Sequence, residues 1–510
     1  MTRKIKAFIA IVILIFLPRF LSAAESDLEN RVRKFTLKNG IRVLLLERHL
    51  SPTVSLYIRQ RAGAVDEVSG KTGAAHLLEH MMFKGTRSIG TRNEAMEDKI
   101  LREINKTGQQ LDLERGKADR TDAGTVKALE DKLKALQVQH KKWMIPNELD
   151  RLYTENGAED MNAGTGQDLT TYYVSLPSNK LELWARIESD RLQHPVFREF
   201  YTERDVVMEE RRQRIEAHPR GKLAEQFYAA AFQAHPYGRP ILGWPSDLRL
   251  LNMDDVSFFF RRASAPHHTV IAVVGDIQPQ EALAVIRKYF ERIPATSPEP
   301  YVITAEPSQS GERRAEVIFN AKPQCMIGYH KPPPPAQDDY IFDIIEAILS
   351  RGRTSRFYRK IVEELKIAES VDTANGMPGA RYSNLFAIFA TPRDPHGCRE
   401  LEPAIDEELE KLKQTEVPEQ ELQKVKNQMK ADFIRELNSN SSLAKMLSYY
   451  EVLLGDYRYL TSYIKVIDKI TPAEIMQAAR KYLNRQNRTV AILTPGQTPS
   501  AASGQPLNQK

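Results

Sequence analysis

The chain has 510 residues, a formal net charge of +6, 41% hydrophobic and 27% charged residues. This is ordinary globular composition, long enough for two or three domains. The charge is too small for a nucleic-acid protein, and no nucleic-acid motif accompanies it. Its two cysteines, Cys325 and Cys398, exclude a disulfide framework. A single bridge between them stays open, with two unpaired thiols the preferred reading.

Lys4 and Lys6 precede an apolar run from Ala7 to Leu17, and Ser22-Ala23-Ala24 offers a small-residue cleavage site. Residues 1–24 therefore read as a secretory signal peptide, too short for a comfortable membrane span. The expectation is export, to a bacterial periplasm after cleavage near Ala24, with an uncleaved anchor as the alternative. The mature chain opens on two strand-like runs, 34–36 and 41–46, joined by the turn Asn39-Gly40. Residues 53–58 alternate polar with apolar side chains.

His76-Leu77-Leu78-Glu79-His80 reads H-x-x-E-H, the inverted form of the zinc-peptidase signature. Residues four apart share a helix face, so His76 and His80 can aim two imidazoles at one metal ion. Glu79 can reach a water there without having to be a ligand. The competing reading is two half-exposed histidines beside a solvated glutamate. The apolar run around them, Ala74, Ala75, Leu77, Leu78, Met81, Met82 and Phe83, argues for a buried helix capped by Thr72 and ended by Gly85. Buried imidazoles and carboxylates need partners.

Farther on, Ile100, Ile104 and Leu111 keep one helical stripe and Val126, Leu129, Leu133 and Leu136 another, with a break at Asp122-Ala123-Gly124. This predicts a helical hairpin, with His140 solvated. A helical pattern over 181–192 precedes the acidic cluster Glu203 to Glu210. Glu203 and Glu210 are two turns apart on one face, but spacing alone does not choose between Glu210 and Glu209 as a third ligand. A buried-strand run over 269–275 and an amphipathic helix over 279–290 close a first domain, 25–293. A linker, 294–311, leads to a second domain, 312–493, and a Ser-, Pro-, Gly- and Gln-rich tail, 494–510, is expected to be disordered. The helix–turn–strand run from Asp254 to Gly275 is echoed by that from Ala473 to Gly496.

Gly73 to Thr86, the run Asn162-Ala163-Gly164-Thr165 with Asp168, Thr170 and Tyr172-Tyr173, the Glu203–Glu210 cluster, His235-Pro236-Tyr237-Gly238 and Val273-Val274-Gly275-Asp276 occur in the order found in one family. The chain resembles peptidase family M16, the pitrilysin–insulinase superfamily, and its short-chain branch that includes mitochondrial processing peptidase and bacterial periplasmic zinc proteases. The resemblance spans nearly the whole mature chain. It implies an α+β fold of two tandem homologous domains, each a mixed or antiparallel sheet with packed helices, together half of a clamshell. It implies one Zn²⁺ per chain on His76, His80 and Glu210, Glu79 as general base, and Glu203 orienting a ligating histidine. It also implies an edge strand around Asn162 and Ala163 that pairs with an extended or unfolded peptide substrate.

Two departures from the family stand out. An Arg and a Tyr that face the zinc from the opposite half would fall at Val362 and Glu369, and neither is present. The expected assembly is therefore a heterodimer with a second M16-like chain that supplies the pair, or else a homodimer using other donors. The stretch from about 98 to 150, the predicted hairpin, is extra, either a packed decoration or a docking or gating element. The expected function is a zinc endopeptidase, the alternative a catalytically silent assembly or binding subunit.

Overall fold

A computed structural model describes residues 28–117, 120–296 and 302–496. The signal-peptide stretch and residues 497–510 of the tail lie outside these, as do linker residues 297–301. The two opening runs form β1 (Arg33–Thr36) and β2 (Arg42–Glu47), paired antiparallel around the Asn39-Gly40 turn, where Gly40 takes φ +101°. With β3 (Thr53–Gln60), β4 (Glu159–Thr165), β5 (Thr170–Pro177) and β6 (Thr269–Gly275) they make a six-stranded sheet in the order β1-β2-β6-β3-β5-β4. Only β2 and β6 run parallel. β4 is an edge strand, so its outer backbone groups have no strand neighbour.

A second sheet contains β7 (Arg313–Ile318), β8 (Gln324–Lys331), β9 (Ala368–Met377), β10 (Asn384–Pro392) and β11 (Arg488–Thr494), in the order β7-β11-β8-β10-β9. β7 and β11 run parallel and the rest antiparallel, so this sheet repeats the β2-β6-β3-β5-β4 arrangement strand for strand. Thr494 pairs with Ile318 and so ends a strand instead of starting a disordered tail.

Helix α1 (Ala74–Met81) packs its buried Leu77, Leu78 and Met81 into a core with Val43, Leu45, Val54, Leu56 and Ile58 on one face of the first sheet. Helices α2 (Glu94–Arg115) and α3 (Ala123–Lys141) are the expected hairpin, followed by α4 (Glu148–Thr154). His140 departs from the reading: it is 2% exposed and lies 2.9 Å from Glu97 Oε1. Helix α5 (Phe200–Arg211) carries the acidic cluster, and α6 (Gln337–Ser350) lies in the second half.

The polar positions of β3 also depart from a half-buried pattern, since every residue after Thr53 is buried. Helix α7 (Asn440–Leu454), from the second half, covers that face. Its Leu443, Ala444 and Leu447 share a core with Leu44, Leu46, Tyr57, Val270, Ala272 and Val274 of the first sheet. Arg59 Nε donates to Ser448 Oγ at 2.9 Å, and the Tyr57 and Ser441 hydroxyls lie 2.8 Å apart. The two halves thus share a core and do not merely abut.

Candidate metal centre

Helix α1 begins differently from the sequence reading. Thr72 is not its cap: the N-cap is Gly73, at φ +91°, where a Cβ would meet Leu248 Cδ2 at 2.6 Å. The first-turn amides are held instead by the buried carboxylate of Glu67, which accepts from Gly73 N at 3.0 Å and Ala75 N at 2.8 Å. A carboxylate at a helix N-terminus also complements the helix dipole. Burial nevertheless pushes the Glu67 carboxyl up to about 8, against the pull of those two amides.

From this fixed start, His76 and His80 point the same way. His80 Nε2 lies 3.4 Å and His76 Nε2 3.7 Å from Glu210 Oε2 on α5. One ligand atom from each of the three residues lies within 4.8 Å of the others, and no other such cluster occurs among the described residues. These separations are long for hydrogen bonds. They approach the ligand–ligand edge of a tetrahedron around an ion with Zn–N of about 2.0–2.1 Å, roughly 3.3–3.4 Å. Burial, with the neighbouring His80, holds the His76 imidazole down to about 3, the neutral form that a metal ligand requires. His76 Nδ1 is buried with no hydrogen-bond partner. The donor set, two imidazoles and a carboxylate with room for a further ligand, fits a catalytic zinc ion.

The surrounding groups fix this set. His80 Nδ1 lies 3.3 Å from Glu203 Oε2, which leaves Nε2 facing Glu210. Burial works to lower the His80 pKa, but the Glu203 bond and the charges of Glu210 and Glu203 raise it overall. Burial would raise Glu203, yet bonds to His80 and Lys84 bring it below its ordinary value. Lys84 Nζ pairs with Glu203 at 2.5 Å and with Glu199 at 3.1 Å. Glu79, beside the triad, accepts from Thr165 Oγ1 at 2.6 Å, and burial raises its carboxyl despite that bond.

Glu210 and Glu209 are separated by the fold where spacing could not separate them. Glu209 turns outward to Arg212, at 2.7 and 2.6 Å, while Glu210 turns toward the histidines. Arg214 Nη1 sits 2.9 Å from Glu210 Oε1, a cation that this chain itself brings against the triad. Asn162 and Ala163 lie on edge strand β4, and the Ala163 N–H is taken by Asn162 Oδ1 at 2.8 Å. Val362 is buried in the second core, and exposed Glu369 pairs with Lys322 at 2.7 Å. The sequence reading missed Glu67 and Arg214, each a common residue in no motif, and quoted Thr165 in the edge-strand run without its bond to Glu79.

Comparison with known proteins agrees with this architecture. The insulinase model of peptidase family M16 matches residues 42–122 and 136–244, and the M16 inactive-domain model matches 251–429. The chain belongs to peptidase family M16. Zinc protease PqqE of Helicobacter pylori is 25% identical over 469 residues, covering 90% of this chain and 92% of that one. The probable mitochondrial-processing peptidase subunit beta of Arabidopsis thaliana is 22% identical, over 91% of this chain and 78% of that one. The crystal structure of a protease from Helicobacter pylori superposes with a TM-score of 0.76 at 25% identity, over 91% of this chain and 99% of that one. The periplasmic protease PqqL from Escherichia coli shares the fold at 17% identity, with a TM-score of 0.68, over 91% of this chain and 47% of that one.

Proposed function

We propose that this chain is a zinc-dependent endopeptidase of extended or unfolded polypeptides, with one zinc on His76, His80 and Glu210. The observation that carries the reading is the convergence of three ligand atoms within 4.8 Å beside a second carboxylate, Glu79, which is not one of the three and is held by Thr165. His76, His80 and Glu210 would hold the zinc ion, which would supply Lewis acidity to a scissile carbonyl and to the attacking water. Glu79 takes the proton of that water on its carboxylate and returns it to the departing amine. General-base help of this kind is worth about 10²–10⁴-fold. Glu203, through His80 Nδ1, keeps the His80 Nε2 lone pair free for the ion. Thr165, on β4, fixes the Glu79 carboxylate, so base and edge strand are tied together.

The substrate main chain extends β4 by strand addition, with Asn162 releasing the Ala163 N–H as the peptide arrives. Val362 cannot donate a hydrogen bond and Glu369 would repel a developing oxyanion. This supports a second, M16-like chain that contributes the missing donors, the runner-up being a homodimer. Among the described residues no helix is long and apolar enough to cross a membrane. The sequence of residues 1–24 and the periplasmic PqqL relative in fold support an exported enzyme.

The test is hydrolysis of a quenched unstructured peptide by the mature chain, alone and mixed with an M16-like partner, beside Glu79→Gln. Activity that needs the partner and vanishes in Glu79→Gln supports the split site. Full activity alone removes the obligatory partner and keeps the chemistry.

A further inference from the structure

A second cavity, of about 350 Å³, lies where the two halves meet. None of the residues lining it lines the space beside Glu79 and His80. Its first-half wall is Arg61, the residue after β3, with the end of the helix Met253–Ala263 and the turn Pro266–His268. Arg61 N donates to His268 O at 2.9 Å, which joins these pieces. Its second-half wall is Arg381 and Tyr382, from the chain between β9 and β10.

The charge in this cavity is unbalanced. Arg61, Arg261, Arg262 and Arg381 line it, and among the described lining residues Asp66 is the one carboxylate. Asp66 is already engaged: it accepts from Gly63 N at 3.0 Å and from both terminal nitrogens of Arg381, Nη1 at 3.1 Å. One guanidinium therefore neutralises it. The side chains of half-buried Arg61 and exposed Arg261 form no hydrogen bond or ion pair among the described residues. Arg381 Nε and His267 Nδ1 are buried with no hydrogen-bond partner, although such atoms are normally satisfied. Burial and the charge of Arg381 hold the Arg61 guanidinium below its ordinary value. Burial, then His267 and the charges of Arg61 and Arg381, holds the His268 imidazole down to about 4 despite its contact with the Arg262 carbonyl. A cleft lined by one sign of charge concentrates the opposite one, and guanidinium forks match phosphate and carboxylate groups.

The cavity also has apolar surfaces. Its volume exceeds that of an inorganic anion and falls in the range of small-molecule pockets. Phe258 stands at it 49% exposed, with the Arg262 guanidinium over its ring at 5.7 Å. Tyr382 carries Arg381 in the same way, at 5.0 Å. Each half thus contributes an aromatic ring with a cation on it, and both rings and guanidinium planes stack on flat groups. We propose that this cavity binds a small organic anion with a flat apolar body, its charged end on Arg61 and the neighbouring Arg381 and its body against Phe258 and Tyr382. Because its walls come from both halves, a ligand held there by the folded chain alone stabilises their joint.

The test is isothermal titration calorimetry on the zinc-loaded mature chain with phenyl phosphate, isophthalate, inorganic phosphate and neutral benzamide. At least one of the two aryl anions should bind with a Kd of about 1 mM or below. It should bind about tenfold or more tighter than inorganic phosphate or benzamide, and which of the two binds identifies the acid group as phosphate or carboxylate. Arg61→Gln should weaken it about tenfold or more, the worth of a charge-assisted hydrogen bond. Phe258→Ser, at an exposed position, should erase the advantage over inorganic phosphate while zinc content stays at the wild-type level. If Arg61→Gln folds poorly, Arg261→Glu, also exposed, should weaken binding comparably. Absence of binding by both aryl anions overturns the proposal. So does an affinity that these variants leave unchanged, since the heat then comes from elsewhere, the metal centre included. Inorganic phosphate bound as tightly as the aryl anions overturns the organic ligand.

Discussion

The two halves of the molecule carry one scaffold in two chemical states. α1 and α6 occupy corresponding places beside sheets of matching order, and each is followed within four residues by a glycine in left-handed conformation, Gly85 and Gly352. Aligned on those glycines, His76, Glu79 and His80 correspond to Asp343, Glu346 and Ala347. Glu79 meets the edge strand of its sheet through Thr165, and Glu346 meets the edge strand of the other through Asn375 N at 2.6 Å. In the second half the acidic groups along α6 are answered from within: Asp343 accepts from Asn375 Nδ2 and Tyr463 Oη, both at 2.8 Å, and Asp339 pairs with Lys331. In the first half, His76 Nδ1 has no partner and three ligand atoms face one another across gaps too wide for hydrogen bonds. Buried polar groups are normally satisfied. The helix that leaves these unsatisfied is the one built for an external ligand.

The largest effects should come from making the first half resemble the second. His80→Ala gives α1 the residue that α6 has at Ala347, and should abolish stoichiometric zinc binding by elemental analysis. Glu79→Gln should keep zinc and fold while lowering kcat by about 10²–10⁴-fold. Glu203→Gln, which removes the carboxylate behind His80, should weaken zinc about 10–100-fold in a chelator competition.

The second half gives a pH signature. Burial, with Asp339 nearby, pushes the Asp343 carboxyl up to about 7. A folded-state value above the unfolded one of about 3.9 means that this group favours folding below pH 4. That contribution is lost as pH rises from about 4 through about 7. Besides Asp339 and Glu346, the titratable groups around it are Lys331, Tyr340, Tyr450, Tyr459 and Tyr463. Asp343→Asn should therefore gain on wild type in urea unfolding as pH rises from about 5 to about 8, by roughly 1–3 kcal/mol at about 1.4 kcal/mol per unit. No gain would mean that Asp343 is not protonated in the folded chain. The smallest effect is Asn162→Ala, which removes the side-chain acceptor that competes with the peptide for the Ala163 N–H and should lower KM about two- to tenfold, the worth of one hydrogen bond.

What was legible in the sequence was local. His76, Glu79 and His80 declare themselves because helix geometry converts their spacing into one face. Glu210 could be preferred to Glu209 only through family resemblance, because two adjacent glutamates on a charged helix differ only in where the helix is rotated. Thr72 looked like a cap, but the amides are held by Glu67, reached through a loop whose path no spacing rule encodes. The alternation along β3 did not show that its polar positions are buried, because the helix that covers them lies almost four hundred residues away, as the Arg59–Ser448 bond records. His140 read as solvated because its partners, Glu97 and through it Arg198, come from elsewhere in the chain.

The central claim is tested most directly by measuring zinc stoichiometry and peptide hydrolysis on the same samples of wild type, Glu79→Gln and Glu210→Gln, with any partner chain present. The account predicts one zinc per chain and activity in wild type, one zinc without activity in Glu79→Gln, and neither in Glu210→Gln. Activity that survives Glu79→Gln, or a wild-type chain that binds no zinc, would contradict it.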